Sequence, residues 1–132
     1  MNITIIGGDL RQITLAKSFE KDGAAVTVYG INSNICPKHM MGESSPRLSV
    51  SDDVIILPMP VTFDGVHVNA PFGNTQIKLD SLLQQINIQS VVFGGKIPQS
   101  FIDALHEKGV SVFDYADNEE LMIKNAVPTA EG

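Results

Sequence analysis

The sequence predicts an α/β fold in three layers, a doubly wound parallel sheet of five strands with helices on both faces. Two observations support this prediction. Five short apolar runs recur along the chain, and helix-patterned segments follow several of them, which is the alternation of βαβ units. The runs are also continuous rather than alternately apolar and polar, as expected for strands covered on both faces. In order, they are NITIIG, AVTVYG, DVIILP, SVVFGG and VSVFDY.

Five such units, with right-handed crossovers and one switch point, predict the strand order 2-1-3-4-5 with the first strand in the centre. This order is that of flavodoxin-like domains, which belong to the wider class of Rossmann-like doubly wound folds. In such folds, ligands bind outside the carboxyl ends of the strands, near the switch point. The sequence therefore predicts both an architecture and the edge of the sheet on which a site should lie.

The first helix should begin directly after the glycine pair that ends the first strand. Apolar residues recur at helical spacing from Leu10 to Phe19, and Gly23 is placed to end the helix. Asp9 is a good N-cap residue, and Gln12, three positions later, would complete a capping box. The sequence thus allows Asp9 and Gln12 either a capping role or a place in a site.

The middle of the chain is expected to be less regular. Residues 30–50 show little periodicity and are rich in Gly, Pro, Asn and Ser, which predicts a surface connection, with a short helix at 37–41 as an alternative. Alternating apolar residues around Asp64 and Gly65 predict a hairpin, within a small β excursion between 61 and 77.

Two further helices are expected in the second half of the chain. One should lie near residues 79–86. The other should start close to Pro98 and end before Gly109, since proline favours the first helical turn and glycine the position after the last.

Composition limits the classes of function. A length of 132 residues with 43% hydrophobic and 18% charged residues fits one globular domain. The net charge of −6 and the presence of only two arginines, Arg11 and Arg47, argue against a nucleic-acid partner. The sequence contains no signal-peptide pattern, and no apolar run approaches the roughly 20 residues that a membrane span requires. A cytoplasmic protein is therefore expected. Cys36 is the single cysteine, so neither an internal disulfide nor a metal cluster is expected.

The glycine turn after the first strand departs from the dinucleotide-binding fingerprint. That fingerprint requires G-x-G-x-x-G, whereas Gly7 and Gly8 are adjacent and the third glycine is missing. Asp9 also places a carboxylate where a pyrophosphate should sit, and the second strand ends in VYG, without an acid for a ribose. Nucleotide binding at this turn is therefore disfavoured.

Three strand ends should converge on a cleft at the carboxyl edge of the sheet. They are the segments 8–12, 57–60 and 94–96. Gly94 and Gly95 permit close approach of the backbone to a ligand, and Pro58 and Pro60 fix an extended exit from the third strand. Lys96 adds a cation, for which a solvated lysine in a turn is the alternative.

Three stretches of the chain resemble one family. IIGGDLRQ near the start, DDVIILPM in the third strand and NAVPTAEG at the end, in this order, are similar to the amino-terminal domain of the dipicolinate synthase A subunit. The resemblance extends over essentially all 132 residues, and its most specific parts are 7–12 and 125–132. It implies a domain like the catalytic domains of the formate and glycerate dehydrogenase group.

The resemblance also implies an activity. In the family, an NADP-binding Rossmann domain follows, so residues 1–124 would be the substrate-side domain and 125–132 a hinge. The complete enzyme would be an oxidoreductase that works with a flavoprotein-like B subunit in the mother cell of a spore-forming bacterium. It would oxidise a dihydrodipicolinate-type precursor to dipicolinate. NADP would be bound by the other domain and no cofactor by this chain, which alone would be inactive. A homo-oligomer is left open.

The implied substrate is a dicarboxylate, which gives the cations of the cleft a role. Arg11 would hold one carboxylate through its planar guanidinium, Asp9 would orient Arg11, and Lys96 would meet the second carboxylate. The surrounding pocket would be formed by Gly8, Gln12, Pro58 and Gly95. From the hinge, polar groups would be presented by Asn125, Thr129 and Glu131.

Alternatives stay open on the sequence alone. Arg11 could be a solvated surface arginine, and the domain could be a flavodoxin-like binding or subunit-docking module with no chemistry of its own. The three histidines share no spacing, so none is assigned to catalysis. The general acid or base is therefore not identified.

Overall fold

The predicted fold and strand order are confirmed by a computed structural model, which describes residues 1–43 and 45–115. The elements are β1 (Asn2–Ile6), α1 (Leu10–Lys21), β2 (Ala25–Tyr29), a 3-10 turn (Lys38–Met40), β3 (Val54–Ile56), α2 (Leu79–Gln85), β4 (Val91–Gly94), α3 (Gln99–Glu107) and β5 (Ser111–Asp114). The strands form one five-stranded sheet in the order β2-β1-β3-β4-β5, and every neighbouring pair of strands is parallel. The central strand is therefore β3, with β1 beside it, so the expectation that the first strand lies in the centre is wrong.

The sheet is covered on both faces, which explains why the strands are continuous apolar runs. Ile55 and Ile56 are neighbours in β3 and both are fully buried, but they belong to different cores. Ile56 packs in a core with Phe19 of α1, whereas Ile55 packs in a core with Leu82 of α2 and Leu105 of α3. The molecule therefore has the three predicted layers, with α1 on one face of the sheet and α2 and α3 on the other.

The three helices lie where the sequence predicts them. Asp9 caps α1, and Gly23 follows this helix with a φ of 99°. The second helix ends one residue short of the predicted 79–86. The third lies between Pro98 and Gly109, as proline and glycine predict.

The β excursion is also confirmed. Isolated antiparallel bridges join Thr62 to Val68 and His67 to Lys78. At the hairpin turn, Asp64 accepts the backbone amide of His67 at 2.7 Å and its ring Nδ1 at 2.8 Å. These bonds hold the pKa of the Asp64 carboxyl well below its ordinary value. The excursion is thus held together by bridges and hydrogen bonds of its own.

Three features of the described residues bear on other classes of function. No helix in this part of the chain is long and apolar enough to cross a membrane. Across residues 1–43 and 45–115, no three His, Cys, Asp or Glu side chains come together as a metal site. Cys36 is buried, and its burial raises the pKa of the thiol.

Candidate substrate site

The turn after β1 is held against the β excursion. Gly7 and Gly8 both adopt the left-handed region, with φ of 69° and 86°. The Gly7 amide donates to the Tyr29 carbonyl and the Gly8 amide to the Asn69 carbonyl, each at 2.8 Å. A Cβ on Gly7 would lie 2.7 Å from the Asn69 carbonyl oxygen, so only glycine fits there. The excursion therefore closes over the carboxyl end of β1.

Asp9 and Arg11 form an ion pair at the start of α1. One Asp9 carboxylate oxygen accepts the Arg11 backbone amide at 2.9 Å and the Arg11 Nε at 3.2 Å. The guanidinium also donates to the Met59 carbonyl, in the loop after β3, at 3.3 Å. These contacts fix the direction of a side chain that is still 54% exposed.

The charge state of Asp9 follows from the same contacts. Partial burial raises the pKa of its carboxyl, but the hydrogen bonds from Arg11 and the positive charge of Arg11 outweigh this effect. The pKa therefore lies below its ordinary value of 3.8. Asp9 stays ionised at neutral pH, so the ion pair persists there.

Gln12 does not complete the predicted capping box. The Gln12 side chain makes no hydrogen bond to Asp9. The Gln12 backbone amide donates to the Asp9 main-chain carbonyl at 3.0 Å, and the Asp9 side chain accepts from the Arg11 amide instead. Tertiary packing explains this correction. Because Gly8 has no side chain, Gln12 lies against it, and a Cβ on Gly8 would be only 2.4 Å from the Gln12 Cγ. The Gln12 side chain is buried as a result, with Nε2 lacking a partner among the described residues.

These groups surround a cavity of about 20 Å³, which has room for about one water-sized group. The cavity is lined by Gly8, Asp9, Arg11, Gln12, Pro58, Met59, Asn69 and Pro71. Five predicted site residues are thus brought together, from the ends of β1 and β3. Sequence reasoning misses Asn69 and Pro71, because they come from the excursion. The sequence NAP directly after the hairpin is the signal that could have indicated these two residues.

Gly95 and Lys96 lie at the same edge but do not line this cavity. A Cβ on Gly95 would be 2.4 Å from the Met59 Cγ, so Gly95 makes room for the loop after β3 rather than for a ligand. Lys96 is exposed and has a φ of 52°. Its backbone amide donates to an Asp114 carboxylate oxygen at 3.2 Å.

A larger and more open cavity of about 290 Å³ is lined by residues of the excursion. It shares Asn69 and Pro71 with the first cavity, and His67 and Asp64 also line it. The two cavities therefore meet along the excursion. The three predicted hinge residues Asn125, Thr129 and Glu131, with the whole segment 125–132, lie outside the described residues.

Comparison with known proteins supports the resemblance noted in the sequence. A family model described as the N-terminal domain of the dipicolinate synthase A subunit matches residues 2–116. No curated protein matches the chain.

Two solved structures share the fold. The dipicolinate synthase A chain from Bacillus subtilis superposes with a TM-score of 0.66 at 22% identity, over 100% of this chain and 45% of its own. The A subunit of dipicolinate synthase from Bacillus halodurans gives a TM-score of 0.72 at 21% identity, over 98% and 45%. This chain thus spans about half the length of either relative. With the family model matching most of the sequence, the chain belongs to the family of dipicolinate synthase A subunit N-terminal domains.

Proposed function

We propose that this chain forms the substrate side of dipicolinate synthase. It would hold one carboxylate of a dihydrodipicolinate-type precursor while an NADP-dependent step oxidises that precursor to dipicolinate. The observation that carries the proposal is the Arg11 guanidinium, oriented by Asp9 beside a small cavity at the carboxyl edge of the sheet. Family membership supports the choice of acid. The role in sporulation, in the mother-cell cytoplasm and together with the B subunit, is part of the same proposal.

The size and charge of the cavity suit one carboxylate rather than a whole dicarboxylate. A cavity of about 20 Å³ accepts about one water-sized group, so a pyridine ring must stay outside it. Among the described residues, Arg11 is the one cationic side chain in the lining, and it is shared with Asp9. The ring and the second carboxylate would therefore be held by other parts of the enzyme, which makes this site half of a larger one.

The described residues do not fit NADP. The Asp9 carboxylate caps α1 at the place where the Rossmann fold binds a pyrophosphate. Strand β2 ends at Tyr29, followed by Gly30, which offers no acid to a ribose. In the proposal, NADP belongs to another domain, and the residues described here bind and orient the acid.

The isolated chain is accordingly expected to bind dipicolinate and to show weak or no binding of NADP. Titration calorimetry with each ligand checks both expectations, and the chain should have no dehydrogenase activity. Saturable micromolar binding of NADP would overturn the assignment of the cofactor to another domain. Absence of dipicolinate binding would instead favour the subunit-docking alternative.

A further inference from the structure

Gln12 is a polar side chain of the cavity whose hydrogen-bonding capacity the described residues leave unsatisfied. It is 6% exposed, and its Nε2 amide has no hydrogen-bond partner among the described residues. Burying a donor without a partner destabilises a folded protein, and such groups are rare. An occupant of the cavity would offset this cost.

Capping does not explain a glutamine at this position. Asp9 caps α1, and the Gln12 side chain takes no part in the cap. Gln99 provides a comparison, because it lies in the first turn of α3 at the same edge of the sheet. Gln99 is exposed, and its Nε2 donates to Asp103 at 2.9 Å. Gln12 differs from Gln99 in being both buried and unpaired.

The space beside Gln12 limits the ligand atom that can meet it. The cavity of about 20 Å³ admits about one water-sized group, and an amide nitrogen can only donate, so this group must be an acceptor. The Arg11 guanidinium favours negative charge there, whereas the positive end of α1 is already occupied by the Asp9 carboxylate. A carboxylate oxygen meets the requirements of size, acceptor character and charge.

We infer that Gln12 is a further binding residue of this site and donates a hydrogen bond from Nε2 to one carboxylate oxygen of the bound acid. The identity of the acid rests on the proposed function, whereas the contact itself requires only a carboxylate. Because the ring stays outside the cavity, picolinate, which has a single carboxylate, is bound through the same contact as dipicolinate.

The test compares Gln12→Met, Gln12→Glu and the matched control Gln99→Met in this chain. Methionine keeps the length of the side chain but removes the donor, and glutamate replaces the donor with a charged acceptor. Dissociation constants for dipicolinate and picolinate are measured by NMR titration of the ¹⁵N-labelled protein, which also reports the Gln12 side-chain amide directly. Melting temperatures are measured by calorimetry.

Gln12→Met should weaken the binding of both acids about tenfold, as expected for the loss of a hydrogen bond to a charged group. Its melting temperature should be unchanged or higher, because an unpaired buried donor has been removed. Gln12→Glu should bind still more weakly through repulsion between carboxylates. Gln99→Met should match the wild type, and each acid should shift the wild-type Gln12 amide resonances.

The outcomes separate this inference from the proposed function. If dipicolinate binds the wild type and Gln12→Met equally well, the Gln12 amide does not contact the acid, and the inference is wrong while the proposed function stands. If picolinate shows the Gln12 dependence and dipicolinate does not bind, the contact stands and the proposed substrate is wrong. If Gln12→Met lowers the melting temperature without changing affinity, Gln12 is structural. Failure of both acids to bind the wild type overturns both proposals.

Discussion

Replacing Arg11 by alanine in the complete enzyme should lower kcat/KM about tenfold to a hundredfold, as expected for the loss of charge-assisted hydrogen bonds worth about 1.5–3 kcal/mol. Arg11 lies at the mouth of the cavity, and its direction is fixed by Asp9 and by the Met59 carbonyl. Its planar guanidinium can grip a carboxylate through two parallel bonds. Arg11→Lys should recover only part of the activity, because lysine keeps the charge but lacks this geometry.

The melting temperature of Arg11→Ala should hardly differ from that of the wild type. The Arg11 side chain is 54% exposed, and exposed ion pairs contribute about 0–1 kcal/mol. Arg47 supplies the matched control, since its side chain is 80% exposed and pairs with Glu43 within its own segment. Steady-state kinetics and melting curves of Arg11→Ala and Arg47→Ala give the comparison. If Arg11→Ala has the kinetics of the wild type, Arg11 is a solvated surface residue and does not bind the substrate.

Gly7→Ala is expected to lower the free energy of unfolding by at least about 2 kcal/mol. A non-glycine residue in the left-handed region costs about 1–2 kcal/mol, and Gly7 has a φ of 69°. The added Cβ would also lie 2.7 Å from the Asn69 carbonyl oxygen and 2.8 Å from Val68 Cγ1. Because the first contact is with backbone, the excursion itself would have to move.

Gly65 allows the two contributions to be separated. It has a similar φ of 79°, but a Cβ there would meet nothing within 4 Å. Gly65→Ala should therefore cost only the backbone strain, about 1 kcal/mol. Urea denaturation of both variants measures the difference. Equal costs would show that the excursion does not close tightly over the end of β1.

The fold could be predicted from the sequence because its local patterns agree with its tertiary structure. A strand such as VII in β3 is apolar at every position because the sheet is covered on both faces. The cap at Asp9 and the glycine ends of helices depend on neighbours within one turn, so they too are visible in the sequence.

The site could be predicted only in part, for a physical reason. Topology places the ends of β1 and β3 side by side, which brings Pro58 to Arg11. The direction of the Gln12 side chain depends instead on packing against Gly8, a tertiary contact that outweighs the capping pattern. Asn69 reaches the site through a hairpin whose path no local pattern fixes. Lys96 lies at the correct edge, but its backbone is tied to Asp114 rather than to the cavity.

The crystal structure of this chain with dipicolinate tests the central claim most directly. The account predicts one carboxylate in the cavity between Gly8 and Asn69, within hydrogen-bond distance of the Arg11 guanidinium, with the pyridine ring outside. Dipicolinate bound in an ordered way at another place, for example beside Lys96 with no carboxylate at Arg11, would contradict it.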